Sequence, residues 1–289
     1  MPDQILANWN GQEMPLDDVR VSVLDRAFMF GDAVYEVIRV YSGRAFLRGP
    51  HMDRLRRSLK EIRINADVDR IDARMGETLS RSGVAEGMVY IQVTRGAAPR
   101  RHQFPDPPVP PNELIYIEPL DGDPYDHLRE NGASLLTVPD FRWGRCDIKS
   151  VNLLANCMAA QQAKAAGCLE ALLIAEDGTV TEGSHTSAFG VKDGKVIASP
   201  LDERILPGIT RALMLELCRR AGVEVVQHRM QQSDLTQIDE LFLTGTTSEV
   251  LPVTKVDDKP IGTGRPGPVT ARLYEAYHAH LQDWLKESD

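Results

Sequence analysis

The chain has 289 residues, 42% of them apolar, and a formal net charge of −9. That length and apolar content support a substantial core in one large or two ordinary domains and exclude a disordered chain. The acidic balance, with no lysine/arginine-rich block running through the sequence, argues against a nucleic-acid partner.

The N-terminus, Met1-Pro2-Asp3-Gln4, has no basic region leading into an apolar run, so no secretory leader is expected, and no apolar stretch is long enough to cross a bilayer. Tyr35 to Tyr41 is β-rich and ends at Ser42-Gly43, which predicts a hairpin with Arg44–Leu47 as its second strand. Met52, Leu55, Leu59 and Ile62 recur at three- and four-residue steps, predicting an amphipathic helix over His51–Ile64. Arg54, Arg56, Arg57 and Lys60 then form a solvated face of that helix, with one member available to turn inward. A second helix is expected over Ile71–Ser82 and a strand over Met88–Thr94. Residues 97 to 112 are too rich in proline for regular structure, and the loop carries Arg100, Arg101, His102 and Phe104. After a strand at Glu113–Ile117, the stretch Pro119-Leu120-Asp121-Gly122-Asp123-Pro124 reads as a linker. The expected division is 1–118, a linker at 119–125, and 126–289. In the second part the pattern predicts strands at Ala133–Val138, Ala171–Ala175, Val180–Glu182, Ser187–Val191 and Val196–Ser199, with a helix over Val151–Ala166. A helix from near Thr210 and another at Val269–Lys286 follow, separated by strands near Val223–Gln227 and Glu240–Leu243. The order of elements, without regular βαβ units, indicates mixed α/β or α+β in two domains. Cys146, Cys157, Cys168 and Cys218 show neither CxxC pairing nor matched histidine spacing, so neither a disulfide framework nor a metal site is expected, and free thiols suit a reducing cytoplasm.

Four segments carry candidate chemistry. Lys149, in Arg145-Cys146-Asp147-Ile148-Lys149-Ser150, can form an imine once burial or a cationic neighbour such as Arg145 frees its amine. Glu182 ends a short strand at a glycine and can pair with a ring nitrogen. Gly208-Ile209-Thr210-Arg211 opens a helix, where free N–H groups and a hydroxyl suit phosphate. Thr244-Gly245-Thr246-Thr247-Ser248-Glu249 is a hydroxyl-rich turn able to close the other side of such a cup, with Arg54 as a forked donor. Taken singly, each has a plainer reading: a solvated lysine, a turn acid, a helix cap, a turn, a surface arginine.

Together and in this order, the segments resemble the fold-type IV pyridoxal-phosphate (PLP) transaminases. The resemblance runs from Asp25-Arg26-Ala27-Phe28-Met29-Phe30-Gly31-Asp32 through His51-Met52-Asp53-Arg54-Leu55, Lys149, Glu182 and Gly208-Ile209-Thr210-Arg211 to Thr247-Ser248-Glu249-Val250. It implies an α+β architecture with a smaller N-terminal α/β domain and a larger, β-barrel-like C-terminal domain with helices. It implies pyridoxal 5'-phosphate as cofactor, Lys149 as the Schiff-base lysine and proton shuttle, Glu182 on the pyridine nitrogen and Leu206 against the ring. Arg54, Ile209, Thr210 and Thr246 are implied for the phosphate, Ile209 through its backbone. Ser187 stands where the family usually has asparagine.

Within the family, Arg100-Arg101-His102 is similar to the loop of the D-amino acid aminotransferases. That similarity implies a carboxylate trap of Arg100, His102 and Tyr35, with the loop serving the neighbouring subunit of a homodimer. The implied reaction is transamination between D-amino acids, such as D-alanine or D-glutamate, and 2-oxo acids. Branched-chain L-amino acid aminotransferase, (R)-amine transaminase, aminodeoxychorismate lyase and a non-catalytic PLP-binding protein are the alternatives.

Overall fold

The computed structural model describes residues 4–287. The chain forms two compact units: one runs to Gly122 and also takes in Ile148–Asn152, and the other comprises Asp123–Asp147 and the chain from Leu153 onward. An α+β organisation in two units is what the sequence led us to expect.

In the first unit the elements are β1 (Leu6–Trp9), β2 (Gln12–Pro15), α1 (Arg26–Phe30), β3 (Ala33–Tyr41), β4 (Arg44–Ala45), α2 (Arg48–Glu61), α3 (Val68–Ser82), β5 (Gly87–Thr94) and β6 (Asn112–Pro119). The strands make one antiparallel sheet in the order β2-β1-β6-β5-β3-β4. Alternate residues of β3 and β5 (Val34, Ile38 and Val40; Val89, Ile91 and Val93) point to one face and are fully buried. Met52, Leu55 and Leu59 of α2 and Ile71 and Met75 of α3 cover that face. Asp67 caps α3 by accepting the Arg70 N–H. The second strand of the β3–β4 hairpin stops at Ala45, short of the expected Leu47, and α2 begins at Arg48. That helix ends before Ile64 because the chain turns left-handed at Arg63, with φ 57°.

In the second unit the elements are α4 (Asp126–Asn131), β7 (Ala133–Pro139), α5 (Leu154–Ala165), β8 (Glu170–Ile174), β9 (Val180–Gly183), β10 (Ser187–Lys192), β11 (Lys195–Ala198), α6 (Ile209–Arg220), β12 (Val225–Gln227), β13 (Glu240–Gly245), β14 (Glu249–Val256), β15 (Lys259–Pro260) and α7 (Pro268–Lys286). Nine strands form one mixed sheet, ordered β12-β11-β10-β13-β14-β7-β8-β9 with β15 on β14. Leu135, Leu172, Leu241, Leu243, Leu251 and Val253 build its main core. A smaller cluster of Val138, Ala171 and Leu173 packs with Ala159 and Ala163 of α5.

One boundary differs from expectation. The domain expected at 126–289 is interrupted, since Ile148–Asn152 joins the first unit. The cause is an open sheet edge. β4 pairs with only Val40 and Tyr41, so the start of β3 is free to bind another strand. Ser150 bridges to Val34, and the Val151 N–H donates to Ala33 O at 3.2 Å. Val151 is therefore held to the sheet edge outside any helix, and α5 begins at Leu154 instead. Among the described residues, no helix is long and apolar enough to cross a membrane. No group of three or more His, Cys, Asp or Glu side chains among them could hold a metal. All four cysteines are free thiols.

Candidate active site

The edge pairing that captures Ile148–Asn152 also fixes Lys149. Its carbonyl accepts the Tyr35 N–H at 3.0 Å, and its own N–H donates to Ser58 Oγ at 3.3 Å. With the main chain held on both sides, the side chain lies against β3, and Nζ stands 4.2 Å from the centre of the Tyr35 ring. Lys149 and Tyr35 are thus brought together. An amine over the face of an aromatic ring is in a cation–π position on the same surface that would receive a planar ligand.

Behind this surface, on the opposite face of β3, Glu36 is fully buried. Arg54 grips it in a fork, Nε and Nη2 each donating at 2.8 Å, and His51 Nδ1 lies 2.8 Å from Oε2. Burial alone would raise the Glu36 carboxyl. Arg54, by charge and hydrogen bonding, and His51 outweigh that and hold it down at about 2. Burial pushes the His51 imidazole below its usual value, against the pull of Glu36. Glu36 was not singled out from the sequence; an acidic residue at a core-facing position of a strand was the available signal. Glu36→Ala leaves the Arg54 charge buried without this partner and is expected to cost about 3–5 kcal/mol at neutral pH, measured by urea unfolding. The depressed carboxyl stabilises the fold above its ordinary value of 4.5, and that contribution disappears as pH falls toward about 2. The gap between wild type and variant therefore narrows across that interval.

The proline-rich loop is irregular, as expected, and is held at its base. Arg26, buried in α1, donates to the carbonyls of Arg101 (2.6 Å), His102 (3.3 Å) and Gln103 (3.3 Å), and to Asp32. Arg95 forms a fork on the same Asp32, with its guanidinium carbon 3.5 Å from the centre of the Phe104 ring. Arg100 and His102 are exposed and lie around Phe30, at 5.3 Å and 5.6 Å from its ring centre. Neither makes a hydrogen bond or ring contact with Tyr35 of the same chain. An open cavity of ≈ 640 Å³ beside Arg70, Arg74 and Glu113 takes up none of the expected site residues.

In the second unit, Glu182 is buried on β9, where Arg142 Nη1 donates to its Oε1 and the Leu206 N–H lies 3.3 Å from each oxygen. Burial raises the Glu182 carboxyl above its usual value, while Arg142 and the Leu206 amide pull the other way. Burial outweighs both, and the charge of Asp140, which holds the Arg142 Nε and Nη2 in a fork at 2.9 Å and 2.7 Å, adds to the raising. Neither Asp140 nor Arg142 was singled out; the cation considered was Arg145, whose charge is engaged by Asp147 at 2.8 Å and 3.0 Å.

Ile209 and Thr210 open α6. Gly208, its N-cap, offers no side-chain acceptor, so the first-turn N–H groups face outward for another partner. Gly208 has a reason to be glycine, since a Cβ there would stand 2.9 Å from Ser187 Oγ. Ser187 pairs across the sheet with Thr244, at the foot of the β13–β14 hairpin that carries Thr246. The helix start and the hydroxyl turn are therefore neighbours through Ser187. Thr244 Oγ1 and Ser248 Oγ are buried without a hydrogen-bond partner. Buried hydroxyls are normally satisfied, and two orphans beside a helix N-terminus fit an anion with several acceptor oxygens.

A family model for amino-transferase class IV matches residues 33–256. A D-alanine aminotransferase from Staphylococcus aureus is 38% identical over 275 residues, 94% of this chain and 96% of that protein. One from Bacillus licheniformis is 39% identical over 270 residues, 93% and 94% of the two chains. Among solved structures, the T.th. branched-chain amino acid aminotransferase with pyridoxamine 5'-phosphate matches with TM-score 0.89 and 30% identity, covering 97% of this chain and 95% of that one. The branched-chain enzyme from Escherichia coli matches at 0.86 and 25% identity, covering 96% and 94%.

Proposed function

The chain belongs to amino-transferase class IV, a PLP-dependent family, and on that premise we propose that it transfers amino groups between D-amino acids and 2-oxo acids. The observation that carries the chemistry is the placement of Lys149: a lysine on a main chain tied at both its N–H and its carbonyl, with its amine over an aromatic face. Bound PLP supplies a ring that absorbs the electron pair released at the substrate's Cα. Lys149 would hold the cofactor through its aldehyde group, and its amine would serve as the base and then the acid that moves the substrate's Cα proton. Glu182 pairs with the pyridine nitrogen; its raised carboxyl lies closer in proton affinity to a pyridine than an ordinary one. Leu206 packs against the ring. Ile209 N–H, Thr210, Thr246 and Arg54 take the phosphate, supported by the uncapped start of α6 and the orphaned hydroxyls of Thr244 and Ser248.

The D preference is supported by the D-alanine aminotransferase relatives and by the Arg100-x-His102 pair. Arg100 and His102 supply forked and single donors to an α-carboxylate, with Tyr35 as the third. Neither makes a hydrogen bond or ring contact with Tyr35 in its own chain, which favours their serving a second copy in a homodimer; mass in solution checks this. The partners are then amino and oxo acids and a second copy of the chain, not nucleic acid or a membrane, and the free thiols and the charge of −9 favour the cytoplasm.

A branched-chain L-amino acid aminotransferase is the second reading, favoured by the solved branched-chain enzymes that this chain resembles in fold. Mixing the PLP form with D-alanine or with L-leucine separates the two. Rapid loss of the enzyme's visible colour with D-alanine is expected, with Arg100→Ala needing more D-alanine to reach the same rate. Rapid loss with L-leucine alone overturns the D assignment.

A further inference from the structure

The β13–β14 hairpin turns through Thr246, Thr247 and Ser248, with Gly245 paired to Glu249. At the end of this three-residue loop Glu249 has φ 54°, a left-handed conformation that hairpins of this kind usually give to glycine. A buried glutamate holds that place under restraint from behind. Arg129 of α4 donates through Nη1 to Ser248 O at 2.9 Å and Val250 O at 2.7 Å, the carbonyls on either side of Glu249. Its Nη2 reaches Glu249 Oε2 at 3.3 Å, and His278 Nε2 of α7 faces the same oxygen at 3.0 Å. Asp123 Oδ2 anchors the other edge of the guanidinium at 3.1 Å and 2.8 Å. Tyr274 lies across the guanidinium's face, 4.8 Å from ring centre to guanidinium carbon, and the Arg129 side chain is only 6% exposed.

None of these groups hydrogen-bonds Thr244 Oγ1 or Ser248 Oγ, the buried, unpartnered hydroxyls of the same hairpin. The hairpin is braced by Arg129 and carries two buried hydroxyls left unsatisfied by the protein. A site that binds through fixed hydroxyls needs that kind of support, because a shift of about half an ångström is enough to lose a preorganised contact. We propose that Arg129, with Glu249 and His278, is a positioning device that presets the Thr246–Ser248 turn for the cofactor's phosphate. The proposal rests on the reading of that turn as one wall of the phosphate site.

The test compares PLP with pyridoxal, which lacks only the phosphate, each titrated into the apo-protein and read by absorbance. Arg129→Met is expected to weaken PLP at least tenfold while leaving pyridoxal within about twofold, since the device acts on the phosphate alone. Glu249→Asn keeps a residue that tolerates the left-handed backbone, removes the carboxylate, and is expected to shift the ratio in the same direction. It also serves if Arg129→Met does not fold. Thr210→Val, on the other wall, reports on the phosphate reading itself. If Thr210→Val shifts the ratio and the Arg129 and Glu249 variants do not, the device is overturned and the phosphate site stands. If the Arg129 or Glu249 variant loses thermal stability but keeps the wild-type ratio, the role is structural and the proposal is also overturned. If no variant, Thr210→Val included, moves the ratio, both readings fail together.

Discussion

Lys149→Ala is expected to abolish the visible colour of the PLP-loaded protein and to lower kcat by about 10²–10⁴-fold, the range for loss of a positioned general acid–base. The side chain has two proposed tasks, holding the cofactor and moving a proton, and both are lost together. The fold is expected to survive. What ties this segment to β3 and α2 is main chain: the Lys149 carbonyl to the Tyr35 N–H, the Lys149 N–H to Ser58, and the Ser150–Val34 bridge. Tm of the apo-variant should therefore stay close to wild type. An unchanged visible spectrum in this variant removes Lys149 from the role.

Glu182→Gln is expected to lower kcat by about 10²–10³-fold, the scale for losing one preorganised electrostatic partner of a developing charge. Glutamine keeps the shape and can still accept from Arg142 and the Leu206 N–H, but it carries no charge to offer the pyridine nitrogen. Stability should move the other way. A carboxyl raised by folding contributes stability below its unfolded value and loses it as pH rises through the raised one, so at neutral pH ionised Glu182 is a cost of burial. Arg142 keeps its fork on Asp140. The variant is therefore expected to unfold at the same or higher urea concentration than wild type at pH 7 while losing activity. A loss of stability parallel to the loss of activity indicates a structural carboxylate.

Local patterning made much of this readable from residues. Met52, Leu55 and Leu59 announced α2, and the β-rich runs Tyr35–Tyr41 and Met88–Thr94 announced β3 and β5. Elements defined by capping escaped notice: α1 is five residues long and depends on Asp25 accepting the Ala27 N–H at one end and Gly31 at φ 66° at the other, which apolar period cannot reveal. β14 also escaped, since Pro252 lies within it, paired with Phe242. Ile148–Asn152 groups with the first unit for a non-local reason. No property of Ile148–Asn152 says that the edge of β3, more than a hundred residues earlier, is open to receive it. The same holds in the site. Lys149, Glu182, Ile209 and Thr210, members of the proposed site, could be named because each sits in a short segment with its own chemistry. Glu36, Asp140, Arg142 and Arg129 act through partners brought by the fold, and a lone acid or arginine in sequence reads as a surface charge.

Reduction of the PLP-loaded protein with borohydride, followed by digestion and mass analysis of the peptides, tests the central claim most directly. The account predicts a pyridoxyl-phosphate adduct on the peptide containing Lys149 and on no other. An adduct on Lys164, Lys192 or another lysine with Lys149 unmodified, or no adduct from a coloured protein, contradicts it.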